Sequence, residues 1–278
     1  MSLVTIIVPT RDNLEMIRQV TTSVIEMSSL PFELIIIDNA STQSKVVAFL
    51  EEAGRTQHVR VLRMTENRYY WPAINAGVRA SNPSSRYFLA LNDDIIVLDK
   101  HWLQRLIDVV ESSPQIGYVG DQRPDPSFRP LGGWVDGYCA MFRREMFDTV
   151  GLFNEARPFN WGFVDFQLRA YKHGYRGADI KRPGDVRDHI AGVVRHLRGR
   201  TIGPITEQLS RDDRLLLLGT RWRPFQLLLE HGFYWAAFRF LLDRQITSGA
   251  ARLARSAPFL LKSRSGSKVA QRRKRLSK

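Results

Sequence analysis

The chain has 278 residues, of which 44% are hydrophobic, so it can bury the core of one large domain or of one domain with an appendage. Its single cysteine, Cys139, excludes an intrachain disulfide and a cysteine-based metal site, which suits a reducing compartment. The net charge of +13 is concentrated in residues 239–278, where twelve Lys and Arg accompany one acid, so it bears on what that segment contacts and not on the fold.

The first 112 residues alternate between short apolar runs and amphipathic segments. The runs are rich in β-branched residues and predict buried strands: "LVTIIVP", "FELIIID", "VRVLRM" and "YFLALND". The segments between and after them predict helices at about 13–28, 43–53, 72–81 and 102–112. Strand and helix in alternation predict an open, mostly parallel α/β sheet with helices on both faces.

The pattern changes after Pro114. The stretch "QRPDPSFRPLGGW" is rich in proline and glycine and predicts a loop. Beyond it, "VDGYCAMF" predicts a strand, "RREMFDTVG" a short helix, and "DFQLRAYKHG" a helix closed by Gly174. Residues 212–242 predict helical segments interrupted at Pro224 and Gly232, and "KSRSGSKVAQRRKRLSK" predicts a disordered basic tail.

Polar residues follow each of the four predicted parallel strands, at 10–12, 38–39, 66–67 and 92–94. The carboxyl ends of parallel strands meet at one edge of the sheet, where such folds bind ligands. The sequence therefore predicts a ligand site built from these four chain-distant clusters.

Asp93 and Asp94 end the strand "YFLALND", where a plain surface turn is the simplest explanation of two aspartates. Hard carboxylate oxygens at a ligand-binding edge also suit Mg²⁺ or Mn²⁺, which bind one or two carboxylates together with substrate phosphates. A cation held there could offset charge that develops on a departing diphosphate.

Asp38 either caps the helix after it or accepts a hydrogen bond from a nucleotide base or ribose. The glycine-rich G-x-G-x-x-G fingerprint of dinucleotide-binding folds and the P-loop motif are both absent, so those two nucleotide sites are excluded.

Six segments in order resemble family 2 glycosyltransferases with the GT-A fold, over residues 3–192. They are "VTIIVPTRDN", "ELIIIDNAS", "NRYYWPAINAGVRAS", "YFLALNDDIIV", "GYCAMFRREMFDTVGLFNE" and "WGFVDFQLRAYKHGYR". The resemblance is strongest to bacterial enzymes that build surface polysaccharides, including rhamnosyltransferase-like members. It implies a Rossmann-like GT-A domain at 1–200, with a nucleotide-sugar half at 1–113 and an acceptor half at 114–200.

The resemblance also implies contacts with a nucleotide-diphosphate sugar. The residues that match the family's donor site are Pro9, Thr10, Asp12, Asp38, Asn67, Asn75, Gly77, Asn92 and Asp93. Positions 92–94 match the DXD motif, with Asp94 as the metal ligand and Asn92 in place of the first aspartate, which lowers the motif's charge. His189 matches a histidine that completes the metal or diphosphate site, with His196 as its competitor and a structural histidine as the simpler explanation.

Asp165 matches the aspartate of the family's later "ED" pair, in which Val164 replaces the glutamate. The resemblance implies that it is the catalytic base of an inverting transfer, while the simpler explanation is a charge at a helix N-terminus. Four residues are expected beside the acceptor, of which the first two are the weaker: Trp134, Asp136, Trp161 and Gly162.

The aromatic residues between 215 and 242 predict either a helical hairpin packed on the domain or a segment at a membrane interface, within a helical region at 201–260. Arginines and lysines up to the tail at 261–278 add attraction to anionic lipid. No nucleic-acid-binding motif accompanies the charge, so we expect no nucleic-acid partner. We expect a cytoplasmic protein on the inner face of the cell membrane, and a homodimer stays open.

The sequence thus predicts a metal-dependent inverting glycosyltransferase with a glycan or lipid-linked acceptor. One alternative is a sugar-1-phosphate nucleotidyltransferase, although "VPTRDN" lacks the glycine-rich loop which that class needs. The other is a non-catalytic nucleotide-sugar-binding or membrane-adaptor protein with the same fold.

Overall fold

The computed structural model describes residues 3–123, 134–180, 189–190, 194–196, 223–234 and 236–238. The chain divides into two units, the first ending at Arg223 and the second beginning at Pro224. The boundary predicted at residue 200 and the predicted tail at 261–278 lie outside the described residues.

A seven-stranded sheet forms the centre of the first unit. In chain order its strands are β1 (Val4–Thr10), β2 (Phe32–Asp38), β3 (Val59–Arg63), β4 (Tyr87–Leu91), β6 (Ile116–Gly120), β9 (Cys139–Arg143) and β10 (Arg176–Asp179). Their spatial order is β10-β6-β9-β4-β1-β2-β3, and all neighbours are parallel except β9, which is antiparallel to both β4 and β6.

The described residues also form two small sheets. Strand β5 (Ile95–Val97) pairs with β12 (Val194–His196), which pairs with β11 (His189–Ile190), and β7 (Gln122–Arg123) pairs with β8 (Trp134–Val135). The predicted strand "VDGYCAMF" is therefore divided between β8 and β9, with a turn between them.

The helices that the structure describes in the first unit follow the prediction closely. They are α1 (Leu14–Met27), α2 (Ser44–Ala53), α3 (Tyr70–Ala80), α4 (Trp102–Glu111), α5 (Met146–Thr149) and α6 (Asn160–Lys172). The exception is α6, which begins at Asn160 and not at Asp165, so Asp165 lies inside the helix.

Strand β1 shows why the central strands are apolar at nearly every position. Ile6 and Val8 pack in the cluster that contains residues of α1 and α4, whereas Ile7 packs in the cluster that contains residues of α3 and α6. Side chains alternate between the faces of a strand, so a sheet covered on both faces needs apolar residues throughout. Pro9 is tolerated because the pairing of β1 with β4 ends at Ile7.

The close packing of α3 on β1 requires a glycine at Gly77. A Cβ atom there would lie 2.4 Å from Cγ2 of Ile7. We expect Gly77→Ala to lower the free energy of unfolding by about 1–3 kcal/mol, measured by urea denaturation, because a packed core resists extra volume.

Gly54→Ala is the matched control, because Gly54 has a helical φ of −66° and its Cβ would make only ordinary contacts. We expect no loss of stability there. Equal effects at Gly54 and Gly77 would contradict the packing explanation.

The described part of the second unit contains α7 (Arg223–Glu230), which begins at the division. Pro224 is its second residue, where the missing N–H is tolerated, so it starts the helix and does not interrupt it. Gly232 ends it with a φ of 73°, while the N–H groups of Phe233 and Gly232 donate to the carbonyls of Leu228 and Leu229. None of the helices that the structure describes has the length and apolar character of a membrane span.

Candidate active site

The loops after β1, β2 and β4 meet at the carboxyl edge of the sheet, as predicted. The Thr10 hydroxyl donates to Oδ2 of Asp93 at 2.8 Å, although 83 positions separate them in the chain. The Asn39 N–H donates to the Thr10 carbonyl at 2.9 Å. Hydrogen bonds therefore join the end of β1 directly to the loops that follow β2 and β4.

Asp12 holds the segment that leads into α2. Its Oδ1 accepts from the N–H groups of Thr42 at 2.7 Å and Gln43 at 2.8 Å, and the residue has a positive φ of 52°. Partial burial alone would raise the pKa of Asp12, but the Gln43 and Thr42 hydrogen bonds lower it overall. The carboxylate thus fixes a loop, and its contact with a nucleotide stays a prediction.

Asp38 is buried at the end of β2. Its Oδ1 accepts from the Ser41 N–H at 2.8 Å, and its Oδ2 lies 3.6 Å from Nε of Arg63. Helix α2 has Gln43 at its N-cap, so Asp38 stabilises the turn before the helix and not the helix end itself. Its contact with a nucleotide base stays a prediction.

Asn39 connects the loop after β2 with the loop after β3. Its Oδ1 accepts from the Arg68 N–H and its Nδ2 donates to the Tyr69 carbonyl, both at 2.8 Å. Oδ1 of Asn67 accepts from the Tyr69 N–H at 3.0 Å. Tyr69 has a φ of 63°, a strained conformation that the two asparagines maintain.

The linking role of Asn39 was not predicted. Its signal was present, since an asparagine next to the aspartate that ends a buried strand is a common loop-fixing residue.

Asn75 and Gly77 have packing roles in the structure, and their predicted contact with ribose and diphosphate stays a prediction. Asn75 is fully buried, and its amide exchanges hydrogen bonds with the backbone of Phe153 and donates to Glu155. Gly77 faces Ile7 of β1. Both residues therefore hold α3 in place.

Asp93 and Asp94 follow β4 at the centre of the carboxyl edge. Asp94 is only 3% exposed. Burial raises the pKa of Asp93 to about 7, the Thr10 hydrogen bond opposes this shift, and the charge of Asp94 increases it. Two neighbouring carboxylates in these surroundings favour a cation beside them.

The carboxylates of Asp93 and Asp94 suit a hard divalent cation whose remaining ligands come from a substrate. Within the described residues, no cluster of three or more His, Cys, Asp and Glu is arranged to hold a metal by itself. Mg²⁺ and Mn²⁺ need only one or two carboxylates when phosphate oxygens complete the shell, so Asp93 and Asp94 are sufficient.

His189 and His196 are brought near this point by the backbone of the small sheet. His196 is paired with Ile95, the residue after Asp94, and His189 is paired with Arg195. The side chains of both histidines lie outside the described atoms, so the metal role of His189 stays a prediction.

A turn at residues 136–138 borders the two aspartates. The Asn92 N–H donates to the Tyr138 carbonyl at 2.9 Å, and the Tyr70 hydroxyl donates to the Gly137 carbonyl at 3.0 Å. Burial raises the pKa of Tyr70 well above its usual range, and the charges of Cys139, Asp94, Asp136 and Asp93 add to the shift. The hydroxyl therefore stays protonated and can hold the turn.

The other predicted acceptor residues lie in β8, which directly precedes this turn in the chain, and in α6. Trp134, in β8, and Trp161, in the first turn of α6, are both partly exposed. Gly162 lets α6 approach closely, because a Cβ there would lie 2.6 Å from Cδ1 of Trp71. Their contact with an acceptor stays a prediction.

Asp165 lies in α6 with only 3% of its surface exposed. Its Oδ1 accepts from Nη1 of Arg157 at 2.7 Å and its Oδ2 from Nε of Arg169 at 2.9 Å. Arg169 also donates to the carbonyls of Val150 and Leu152. These contacts suit an anchor between α6 and the segments before it, while the base assignment stays a prediction.

Comparison with known sequences finds one family over the first half of the chain. The sequence model of glycosyl transferase family 2 matches residues 5–136. An uncharacterized protein of Sinorhizobium fredii is 28% identical over 62% of this chain and 23% of that protein. The O-antigen biosynthesis protein RfbC of Myxococcus xanthus is 27% identical over 62% of this chain and 16% of that protein. The chain thus spans less than a quarter of the length of these curated relatives.

Solved structures show the same fold at low identity. One is the mannosyltransferase PcManGT from Pyrobaculum calidifontis in complex with GDP-Man and Mn²⁺, with a TM-score of 0.53 and 20% identity over 66% of this chain and 58% of that one. Another is residues 1–349 of TarS from S. aureus, with a TM-score of 0.52 and 16% identity over 64% of this chain and 58% of that one. The predicted GT-A fold is confirmed.

Proposed function

Because the chain carries a family 2 glycosyltransferase domain, as its motifs predicted, we propose that it transfers a sugar from a nucleotide-diphosphate donor to an acceptor hydroxyl. The acceptor is a glycan or a lipid-linked glycan in the synthesis of bacterial surface polysaccharide, in keeping with the O-antigen relative. The observation that carries the proposal is the hydrogen-bonded carboxyl edge, where Thr10 and Asp93 join two strands beside Asp94.

The loops after β1, β2 and β3 receive the nucleotide in this proposal. Their conformations are fixed before any ligand binds, since Asp12 holds the second loop and Asn39 holds the third. Such preorganisation reduces the ordering cost of binding. The diphosphate then lies next to Asp93 and Asp94, and a Mg²⁺ or Mn²⁺ bound there supplies positive charge for the departing diphosphate.

The acceptor approaches from the side of β8 and α6, where Trp134 and Trp161 offer aromatic surface. In an inverting transfer the acceptor oxygen attacks the anomeric carbon from the face opposite the diphosphate. A carboxylate on the acceptor side must take the hydroxyl proton during that attack.

The test is a panel of UDP-, GDP- and dTDP-sugars incubated with the pure protein and Mn²⁺ or Mg²⁺. We expect release of the nucleoside diphosphate from one donor class, and its loss when the metal is chelated. Release of pyrophosphate from a nucleoside triphosphate and a sugar phosphate would indicate the nucleotidyltransferase instead. Turnover of no donor would favour the non-catalytic binding protein.

We also propose that the second unit places the protein on the cytoplasmic, anionic face of a membrane. Leu229, Tyr234 and Phe238 are exposed at 38%, 70% and 50%. The sequence beyond them, at 239–278, carries twelve basic residues and one acid. Apolar side chains next to basic ones suit a lipid surface that is negatively charged.

Sedimentation with vesicles tests the membrane proposal. We expect binding to vesicles that contain phosphatidylglycerol and little binding to neutral phosphatidylcholine vesicles, with loss of binding at high salt. Tyr234→Ser combined with Phe238→Ser should weaken binding by about tenfold, since each removes a large apolar group. Equal binding to phosphatidylglycerol-containing and neutral phosphatidylcholine vesicles would contradict the proposal.

A further inference from the structure

The contacts of Asp165 raise the question of which carboxylate accepts the acceptor proton. Each oxygen of Asp165 receives a guanidinium hydrogen bond, and the two arginines come from different parts of the chain. Accepting a proton would weaken both ion pairs within a site that water scarcely reaches. A base needs an oxygen that the substrate hydroxyl can approach to about 2.6–3.2 Å.

Asp136 has the surroundings that a base on the acceptor side requires. It is partly exposed and lies in the turn between β8 and β9. Its N–H donates to the Asp121 carbonyl at 2.8 Å, and its Oδ1 accepts from the Gly137 N–H at 2.7 Å. These bonds orient the side chain.

The turn itself is held rigidly against α3. A Cβ at Gly137 would lie 2.8 Å from Cζ2 of Trp71, so the turn and the helix are in close contact. The Tyr70 hydroxyl donates to the carbonyl of the same glycine. Catalytic groups are most effective when neighbouring residues fix their position in this way.

Asp136 also lies close to the donor side of the site. The buried Tyr70 hydroxyl experiences the charges of Asp94, Asp136 and Asp93 together. The backbone bond from Asn92 to Tyr138 joins the two segments that carry these aspartates. Asp136 thus directly follows β8, which carries the partly exposed Trp134, in a turn that is hydrogen-bonded to the segment of Asp93 and Asp94.

We infer that Asp136 is the catalytic base of the proposed transfer and that Asp165 is a positioning residue. As the acceptor oxygen forms its bond to the anomeric carbon, its O–H bond breaks and the proton passes to the carboxylate of Asp136. The bond between the anomeric carbon and the diphosphate oxygen breaks, and its electron pair leaves with the diphosphate. This inference rests on the proposed function.

Azide distinguishes a base from a residue that only supports the fold, because the azide anion attacks without losing a proton. The experiment uses the full chain and the donor that the wild-type protein hydrolyses fastest in the panel. It compares Asp136→Asn, Asp165→Asn and the exposed Asp148→Asn as matched control. Nucleoside diphosphate release is measured in water alone and with sodium azide, together with the glycosyl azide formed.

We expect Asp136→Asn to lower hydrolysis by about 10²–10⁴-fold, while glycosyl azide forms within several-fold of the wild-type rate. Asp148→Asn should match the wild type in both reactions. In Asp165→Asn, hydrolysis and glycosyl azide formation should either both fall or both stay normal. Donor binding measured by calorimetry should survive in Asp136→Asn.

Three results would overturn the inference: normal hydrolysis by Asp136→Asn, loss of both reactions in that variant, or azide rescue confined to Asp165→Asn. Absence of turnover in the wild type with every donor would overturn the proposed function itself, and the inference with it.

Discussion

Replacing Asp94 with asparagine is expected to reduce sugar transfer by about 10³-fold, which corresponds to several kcal/mol of lost charge stabilisation at the diphosphate. Asp94 is buried at the end of β4, next to Asp93, and its carboxylate is the predicted metal ligand. An amide of the same shape keeps the packing but removes the negative charge that a divalent cation needs. The measurement is the turnover of the best donor at saturating Mn²⁺.

Thermal unfolding gives a second readout for the same variant. Mn²⁺ together with the nucleoside diphosphate should raise the melting temperature of the wild-type protein, because a ligand that binds the native state stabilises it. Asp94→Asn should lose most of this rise, whereas Asp108→Asn on the exposed side of α4 should keep it. A full Mn²⁺-dependent rise and normal turnover in Asp94→Asn would contradict the metal assignment.

Asp165→Asn is expected to lower the free energy of unfolding by about 3 kcal/mol, because breaking a buried ion pair leaves the remaining charges uncompensated. Two guanidinium groups lose their partner here, and both are mostly buried, with side-chain exposures of 19% for Arg157 and 24% for Arg169. Arg169 would still donate to the carbonyls of Val150 and Leu152, which limits the loss. Urea denaturation at neutral pH measures it.

The matched control is the more exposed ion pair between Asp99 and Arg105, whose N–O distance is 2.8 Å. Asp99→Asn should cost less than about 1 kcal/mol, since solvent screens a pair near the surface. If Asp165→Asn lowered the free energy of unfolding as little as Asp99→Asn, the Asp165 carboxylate would not be an anchor. Its assignment as the catalytic base would then be favoured again.

Much of the fold follows from local pattern. Strands β1, β2 and β4 are apolar on both faces, and no other arrangement than a doubly covered sheet hides such runs from water. Helix ends were similarly predictable, as at Asn13, whose side chain accepts from the Met16 N–H and caps α1. The convergence of polar clusters at one edge followed from the parallel strand order alone.

Strand β9 could not be placed from its sequence. Residues 139–142 are apolar and would suit several positions in the sheet, yet β9 lies antiparallel between β4 and β6. This position of β9 brings Asp136 and Gly137 beside Asn92. It depends on which strand edges remain unpaired after the other strands have paired.

The amino-acid sequence by itself determined the α/β architecture, the family resemblance and the edge at which polar residues collect, because periodicity and strand order are local or additive properties. Only the tertiary structure decided what each polar side chain does there. In it Asn75 is buried, both oxygens of Asp165 accept from arginines, and Asp136 lies in the turn that is hydrogen-bonded to Asn92. The physical reason is that a side chain's partners are set by packing between distant segments, and residues of the same type are chemically equivalent until that packing is known.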